Sequence, residues 1–372
     1  MTRTAQLGWI GQSVWLDNIT RDLLNSGKLA RYIADLSVTG LTSNPSIYDK
    51  AIGSSDDYDA DIHRLAAAGK DTESIFFELA LDDLRRAADL FLPVYKRTNG
   101  VDGFVSLEVS PLLANDAATT ISEAARLHAL AARPNFFIKI PGTTAGLKAI
   151  EETIFAGVPV NVTLLFSADH YRAAAEAYTR AIERRVEAGL DPYVPSVASV
   201  FVSRWDGPAA GDLPENLHNK LGIAMAHRTY GDYRALLHSD RWQRLFNMGA
   251  KPQRLLWAST GTKDKKASDI LYVEALAAPL TVNTMPEETL LAFADHGNVA
   301  GTIVPGVQIL AGTLVAGANS NDEALIRQFE KEGVNVDDLA RLLQEQGVTA
   351  FATAWKSLLA RIQETATAVS AG

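Results

Sequence analysis

Short strand-like runs alternate with longer helical patterns along this chain. Apolar runs of strand length are predicted near residues 13–17, 37–44, 103–109, 136–140, 159–165, 196–202, 254–259 and 279–284. Amphipathic segments between them predict helices near residues 72–95, 116–132, 144–156, 168–188 and 268–276. This alternation is typical of βα units and a parallel sheet. Eight such strands predict an α/β fold, a (β/α)₈ TIM barrel, in which functional groups gather at the carboxyl ends of the strands.

The sequence favours a single barrel domain over residues 1–372. Its hydrophobic content of 47% and charged content of 21% are globular values, and no Pro/Ser/Gly-rich stretch marks a linker. Two segments exceed a minimal barrel. Residues 205–253 predict a helical insertion between the sixth and seventh strands, near the barrel mouth. Residues 321–372 predict a helical extension, with separate helices around 337–346 and 349–359.

Composition and motifs argue against several classes of partner. The net charge of −9, without a basic stripe, makes nucleic acid an unsuitable partner. No segment has the apolar length needed to cross a bilayer, so no membrane partner and a cytoplasmic location are expected. The chain has no cysteine, its seven histidines are scattered, and it lacks dinucleotide and Walker fingerprints. We therefore expect no metal and no cofactor. The sequence leaves open whether the protein is a monomer or a homodimer.

Lys139 lies within an apolar run of strand length that ends at Pro141. Desolvation of an ammonium is costly, and it favours the neutral amine that attacks carbonyl carbon. That chemistry would make Lys139 a Schiff-base nucleophile. The alternative is a lysine at a strand end whose charged tip reaches solvent. The polar residues on the other predicted strands favour the chemical interpretation.

Polar residues stand at or near the carboxyl ends of the other strands. Side chains two residues apart share a face of a strand, which predicts these pairs on common faces: Thr42 and Asn44, Ser106 and Glu108, Phe137 and Lys139, Asn161 and Thr163, Ser199 and Phe201, and Trp257 and Ser259. Asp17 ends the first strand. Simpler explanations exist for two of them, since Asp17 could cap the segment that follows it and Asn44 before Pro45 is a common turn residue.

These side chains match what a lysine-imine enzyme requires. A carbinolamine needs an acid to expel water, and cleavage of a C–C bond needs a base for the substrate hydroxyl. Two carboxylates and a positioned water supply both functions. Glu108 in particular would be costly to bury without a partner.

The chain resembles the transaldolase family, the class I aldolase-type transferases of the pentose phosphate pathway. The resemblance extends from about residue 12 to 284 and rests on an ordered set of motifs: Thr42-Ser43-Asn44-Pro45-Ser46, Ser106-Leu107-Glu108-Val109, Ile138-Lys139-Ile140-Pro141, Asn161-Val162-Thr163-Leu164-Leu165-Phe166-Ser167, Ser199-Val200-Phe201-Val202-Ser203-Arg204 and Trp257-Ala258-Ser259-Thr260. It implies a transferase that moves a dihydroxyacetone unit from sedoheptulose 7-phosphate or fructose 6-phosphate to glyceraldehyde 3-phosphate or erythrose 4-phosphate.

The resemblance also implies roles for individual residues. Lys139 would form the Schiff base, Asp17 would act as acid and base at the C–C bond, and Glu108 with Thr163 would position a catalytic water. The implied substrate-binding residues are Thr42, Asn44, Asn161, Ser199, Phe201, Arg204, Ser259 and Lys263. Among these, Arg204 would hold the substrate phosphate.

One departure from the family pattern affects the phosphate site. Better-known members continue from the position of Ser259 into a Phe-Arg sequence whose Arg is a second phosphate ligand. Here Ser259 is followed by Thr260-Gly261-Thr262-Lys263. Lys263 could replace the lost charge, or it could be a solvated lysine of a charged run.

Two other functions fit parts of the sequence. The first is a simple aldolase that releases dihydroxyacetone, although the apolar Phe201 suits a pocket that guards its enamine from water. The second is a catalytically silent barrel that binds sugar phosphates. The combination of Lys139, Asp17 and Glu108 argues against the silent barrel.

Overall fold

A computed structural model gives the fold and describes residues 2–207, 211–299, 307–310, 313–316 and 320–368. Eight parallel strands follow one another around a closed barrel, in which the eighth pairs with the first. The strands are β1 Gln12–Asp17, β2 Val38–Thr42, β3 Val105–Glu108, β4 Phe136–Pro141, β5 Val160–Leu165, β6 Ser196–Phe201, β7 Arg254–Ala258 and β8 Thr281–Met285. The predicted (β/α)₈ barrel is confirmed, with every strand boundary within two residues of its prediction.

Helices surround the barrel and connect its strands. They are α1 Arg3–Trp9, α2 Arg21–Asn25, α3 Lys28–Asp35, α4 Pro45–Ser54, α5 Asp59–Ala67, α6 Thr72–Arg97, α7 Ala117–Ala131, α8 Thr144–Phe155, α9 Ala168–Glu187, α10 Leu221–His238, α11 Asp240–Asn247, α12 Leu271–Ala275, α13 Glu287–His296, α14 Ser320–Lys331 and α15 Val336–Ala368. In the described part of the chain, none of them is long and apolar enough to span a bilayer.

The barrel interior is filled by side chains, so it is a packed core and not a channel. Trp15 is fully buried there, and its indole nitrogen donates a 2.7 Å hydrogen bond to Asp102. Its ring covers Gly40 on the neighbouring strand, where an added Cβ would lie only 2.5 Å from the indole. Phe104 and Phe137 stack beside it with ring centroids 4.3 Å apart. These aromatic rings separate the two ends of the barrel.

The segment between β6 and β7 contains the helices α10 and α11, and a helical insertion was predicted there. Only the start of α10 lies near the mouth of the barrel. The backbone nitrogen of Leu221, at the start of α10, is bound by Asp206 just after β6. Further along the helix, Tyr233 donates to the carbonyl of Leu280 at the amino end of β8. The helix therefore runs along the barrel from one end to the other, as an ordinary connecting helix does.

The extension forms α14 and one long helix, α15. The prediction of separate helices around 337–346 and 349–359 was wrong, because α15 continues through Gly347. A glycine inside a helix usually weakens it. Here the missing side chain lets the helix approach β5, since a Cβ on Gly347 would lie 2.9 Å from Cδ2 of Leu164. An antiparallel pair that the sequence did not predict, β9 Val307–Leu310 and β10 Thr313–Ala316, lies before α14.

Candidate active site

A cavity of about 190 Å³ lies at the carboxyl ends of the barrel strands. Its lining combines the residues Asp17, Thr42, Asn44, Ser46, Lys139, Thr163, Ser199, Phe201, Arg204, Ala258, Ser259, Gly261, Lys263, Thr284, Pro286 and Phe351. Of the twelve residues predicted for the site, only Glu108 and Asn161 lie outside this lining. Both are buried directly beside residues that line it.

Lys139 and Glu108 form a buried ion pair. They are register partners on β4 and β3, and Nζ of Lys139 lies 3.2 Å from Oε2 of Glu108. Each residue is only 5% exposed. The ammonium also donates a 2.9 Å hydrogen bond to the carbonyl of Ser43. Burial raises the pKa of Glu108 above its ordinary value, while the charge of Lys139 opposes that rise. The alternative interpretation, a lysine whose charged tip reaches solvent, is therefore excluded.

Asp17 is held by a chain of hydroxyl groups. Thr42 Oγ1 donates a 2.7 Å hydrogen bond to Oδ1 of Asp17 and lies 2.6 Å from Oγ1 of Thr284. Because the single proton of Thr42 goes to the carboxylate, Thr284 is the donor in the second bond. Burial raises the pKa of Asp17, and the charge of Lys139 and the bond from Thr42 act against that rise. Asp17 does not cap α2, since Thr20 does so.

Asn44 and Asn161 are held by different kinds of contact. Asn44 is the N-cap of α4, through a 3.1 Å bond from the nitrogen of Ile47, and not a turn residue. It also lines the cavity. Asn161 is fully buried and accepts a 2.7 Å bond from Ser199. Its amide nitrogen donates to Ser106 over 3.2 Å.

The end of β5 departs from regular strand geometry. Leu164 has φ of +59°, a left-handed conformation that is strained for a branched side chain, and the pairing with β6 is irregular at this point. Thr163 immediately before it lines the cavity. Within the described residues, its buried hydroxyl has no hydrogen-bond partner. Such a group can bind a water or a substrate hydroxyl.

The prediction that Trp257 and Ser259 share a face of their strand was wrong. Trp257 packs outside the barrel and donates to the carbonyl of Leu276, whereas Ser259 lines the cavity. The two residues therefore point to different sides, and it is Ala258 that shares the cavity lining. The reason is that β7 ends at Ala258 and Ser259 has φ of +55°, which breaks the alternation of a strand. Ser259 then meets Ser203, with their hydroxyl oxygens 2.9 Å apart.

Two cationic side chains line the side of the cavity near β6 and β7. Arg204 belongs to a short 3₁₀ helix directly after β6, and its guanidinium carbon lies 5.6 Å from the centre of the Phe201 ring. In the described part of the chain, no carboxylate lies within 4.0 Å of Arg204, and burial lowers its pKa. Lys263 is exposed, but it lines the cavity, and its charge partly opposes the rise in the pKa of Asp17 that burial causes.

Phe351 reaches the site from the long C-terminal helix and was not predicted. It is 4% exposed, and Nζ of Lys139 lies 5.9 Å from the centre of its ring. Gln344, two turns earlier in α15, donates to the carbonyls of Leu164 and Gly142 over 2.9 and 3.2 Å. These bonds attach the helix to the ends of β5 and β4. The sequence signal was only an aromatic residue in an amphipathic helix, which usually indicates core.

The described residues contain no cluster of His, Asp or Glu that could hold a metal ion. The site instead combines an amine, two carboxylates, hydroxyl groups and two cations around one small cavity. An amine beside acid and base groups can form and hydrolyse an imine. A cationic rim can bind the phosphate of an anionic substrate.

Comparison with known proteins agrees with this geometry. The profile of the Transaldolase/Fructose-6-phosphate aldolase family matches residues 14–362. The chain belongs to this family. It is 45% identical to a transaldolase of Frankia alni over 97% of this chain and 96% of that protein. Identity to transaldolase 2 of Streptomyces coelicolor is 44%, over 94% and 93% of the two chains. A transaldolase of Thermobifida fusca is 43% identical over 96% and 97%.

Transaldolases are transferases, and membership of their family therefore gives this chain an enzymatic class. The resemblance found in the sequence is confirmed over nearly the whole chain. The match extends into α15, beyond the motifs that carried the resemblance.

Thr42 offers a test of how Asp17 titrates. We expect Thr42→Val to move the acid limb of the kcat/KM profile to higher pH by about one to two units, because a hydrogen bond to a charged group is worth ~1.5–3 kcal/mol. The bond stabilises the ionised carboxylate, and its loss raises the pKa further. Activity that needs ionised Asp17 then falls earlier as the pH decreases. The measurement is a pH–rate profile, with Thr42→Ser as the control. An unmoved acid limb in Thr42→Val would contradict this role.

Proposed function

We propose that this enzyme transfers a dihydroxyacetone unit from sedoheptulose 7-phosphate or fructose 6-phosphate to glyceraldehyde 3-phosphate or erythrose 4-phosphate. The reaction belongs to the non-oxidative pentose phosphate pathway. The observation that carries the proposal is the buried pair of Lys139 and Glu108 at the strand ends, 3.2 Å apart, beside a cavity that Arg204 and Lys263 also line. We also propose that the chain works as one barrel domain, in the cytoplasm, where charged sugar phosphates are retained.

The first half-reaction begins with the amine of Lys139. Once it has given up a proton, its nitrogen attacks the ketone carbon of the donor and forms a carbinolamine. Glu108 is the nearest carboxylate to Nζ, and its raised pKa suits a group that both accepts and donates protons. We assign it to this step with a water held by Thr163. Loss of water then gives a protonated imine.

Cleavage follows at the adjacent C–C bond. Asp17 accepts the proton of the hydroxyl on the fourth carbon, the bond between the third and fourth carbons breaks, and the electron pair moves into the imine. The products are a free aldose phosphate and an enamine on Lys139. An acceptor aldehyde then reverses these steps, and water hydrolyses the final imine. Asn44, Asn161 and Ser199 are assigned to the hydroxyls of the three-carbon unit, with Thr42 supporting Asp17.

Arg204 is the proposed main ligand of the substrate phosphate. Its planar fork matches phosphate oxygens, and it lines the cavity without a carboxylate partner among the described residues. Lys263 is proposed as a second, weaker ligand in place of the missing arginine. Its ammonium lies near Gly261, with Nζ 3.8 Å from where a Cβ on that glycine would be. Both residues line the same cavity as Lys139.

A fructose 6-phosphate aldolase activity is the second candidate, because the family profile covers both activities. An aldolase must protonate its enamine quickly, and a transferase must prevent this. Apolar rings approach the cavity from two directions, Phe201 on β6 and Phe351 on α15. They limit the access of water to the carbon that would be protonated. This arrangement favours the transferase.

Borohydride trapping tests the covalent step. Incubation with fructose 6-phosphate followed by reduction and peptide mass mapping should give a three-carbon adduct on Lys139. Lys139→Arg should show neither adduct nor turnover, because a guanidinium does not provide a free amine. Lys148→Arg, an exposed lysine of α8, is the matched control and should behave as wild type. Substantial turnover by Lys139→Arg, or an adduct elsewhere, would refute the mechanism.

Charge removal tests the phosphate site. Arg204→Gln should lower kcat/KM for fructose 6-phosphate by about 10–100-fold, because hydrogen bonds to charged groups are worth ~1.5–3 kcal/mol. Lys263→Gln should cause a smaller loss, and Lys265→Gln in the same charged run should cause none. Unphosphorylated fructose provides the comparison, since its slower reaction should respond much less to Arg204→Gln. Equal losses with both sugars would assign Arg204 to another role.

Phe351 tests the guarding of the enamine. With fructose 6-phosphate and no acceptor, the wild-type enzyme should stop after about one turnover. Phe351→Ala should raise acceptor-free release of dihydroxyacetone on the order of tenfold, which corresponds to ~1.4 kcal/mol of barrier. Phe351→Leu keeps apolar bulk and should stay close to wild type. Sustained acceptor-free turnover by the wild-type enzyme would instead establish the aldolase.

A further inference from the structure

A second and larger cavity lies at the opposite, amino end of the barrel. Its volume is about 900 Å³, within the range of small-molecule sites. Strand starts such as Gln12 and Arg254 form one side, and the end of α10 with α11 forms another. The stacked rings of Phe104 and Phe137 separate it from the Lys139 site. No step of the proposed transfer reaction uses it.

The charges that line this cavity are mostly positive. Arg234, Lys251 and Arg254 are cations in the lining, and Asp102 is its one carboxylate among the described residues. Asp102 is already bound by the indole of Trp15, the hydroxyl of Ser13 and the backbone nitrogen of Gly103. Hydrogen bonds from the protein therefore already stabilise the charge of this carboxylate. In a chain with a net charge of −9, this cavity is a local exception.

Lys251 is the cation whose surroundings point most directly to a ligand. Its ammonium lies 4.1 Å from the centre of the Tyr193 ring and donates one 2.6 Å bond, to the carbonyl of Asn99. In the described part of the chain, no carboxylate lies within 4.0 Å of it. Burial also lowers its pKa. An ammonium has three donors, and among the described residues only the carbonyl of Asn99 accepts a hydrogen bond from this one.

The remaining lining is aromatic and apolar. Trp242, Tyr193 and Phe246 contribute rings, and Leu237 and Leu280 contribute aliphatic surface. Phe246 and Leu280 are 51% and 45% exposed, which gives the cavity an opening to solvent. A ligand that satisfies both parts of the lining has a flat apolar body and an anionic group.

We propose that this cavity binds a small aromatic anion, with Lys251 as the residue that recognises its charge and the rings of Tyr193 and Phe246 holding its apolar body. The site is independent of the transfer reaction at Lys139. It lies beneath Phe137, which stands two residues before Lys139 on the same strand.

Two matched dyes test the proposal. Anilinonaphthalene sulfonate carries the required anion on an aromatic body, and N-phenylnaphthylamine is its uncharged counterpart. Fluorescence titration of the full chain should show saturable binding of the sulfonate that saturating fructose 6-phosphate does not displace. Lys251→Gln should weaken sulfonate binding about two- to fivefold, as expected for one partly exposed charge pair. It should leave binding of the neutral dye unchanged.

Two further variants separate the charge from general effects. Lys251→Arg keeps the charge and should retain sulfonate affinity, while Lys148→Gln removes an exposed charge elsewhere and should have no effect. Equal sulfonate affinity in wild type and Lys251→Gln would overturn the proposal and leave only an apolar groove. Displacement by fructose 6-phosphate would overturn it by assigning the dye to the Lys139 site. Failure of both dyes to bind, with sedimentation as a dimer, would assign this face to a second copy of the chain.

Discussion

The site depends on the close approach of two opposite charges inside a barrel wall. Lys139 and Glu108 are each costly to bury alone, and their contact on adjacent strands makes both tolerable. Parallel register places them at one level, next to Asn161 on the following strand. On β1 and β2, the register likewise places Asp17 opposite Thr42. The position of a residue along its strand therefore determines whether its side chain reaches the site. Packing of the aromatic rings below fixes the level at which this occurs.

Much of this arrangement could be predicted from the sequence because strands follow simple rules. Alternation of side chains predicted correctly that Thr42, Lys139, Thr163 and Ser199 share one cavity. The rule failed at Ser259, where a left-handed backbone reverses the direction of the side chain. Serine does not favour the left-handed region as glycine and asparagine do, so no sequence pattern marked the reversal at Ser259. The same limitation applies to Leu164, whose strained conformation carries its side chain toward α15.

Contacts between distant segments account for what the sequence did not predict. Two helices were predicted on either side of Gly347, because glycine is a poor helix former. The neighbour that requires a glycine at this position, Leu164, is far away in sequence. Phe351 was not predicted for the same reason, since Lys139, which its ring approaches, is far away in sequence. The large cavity at the amino end is formed by residues from many segments, including Lys251 and Tyr193, and no spacing links them. Such features depend on tertiary structure and not on local periodicity.

The docking of α15 also bears on how the enzyme is made. The barrel strands that hold Lys139, Glu108 and Asp17 are all complete by residue 285. The ring that covers the lysine arrives only with residue 351, on a helix attached through Gln344 to the ends of two earlier strands. During synthesis the chain therefore passes through a stage in which all eight barrel strands have been made and the amine of Lys139 is not yet covered. The ring of Phe351 can protect that amine from other aldehydes only after most of the chain has been synthesised.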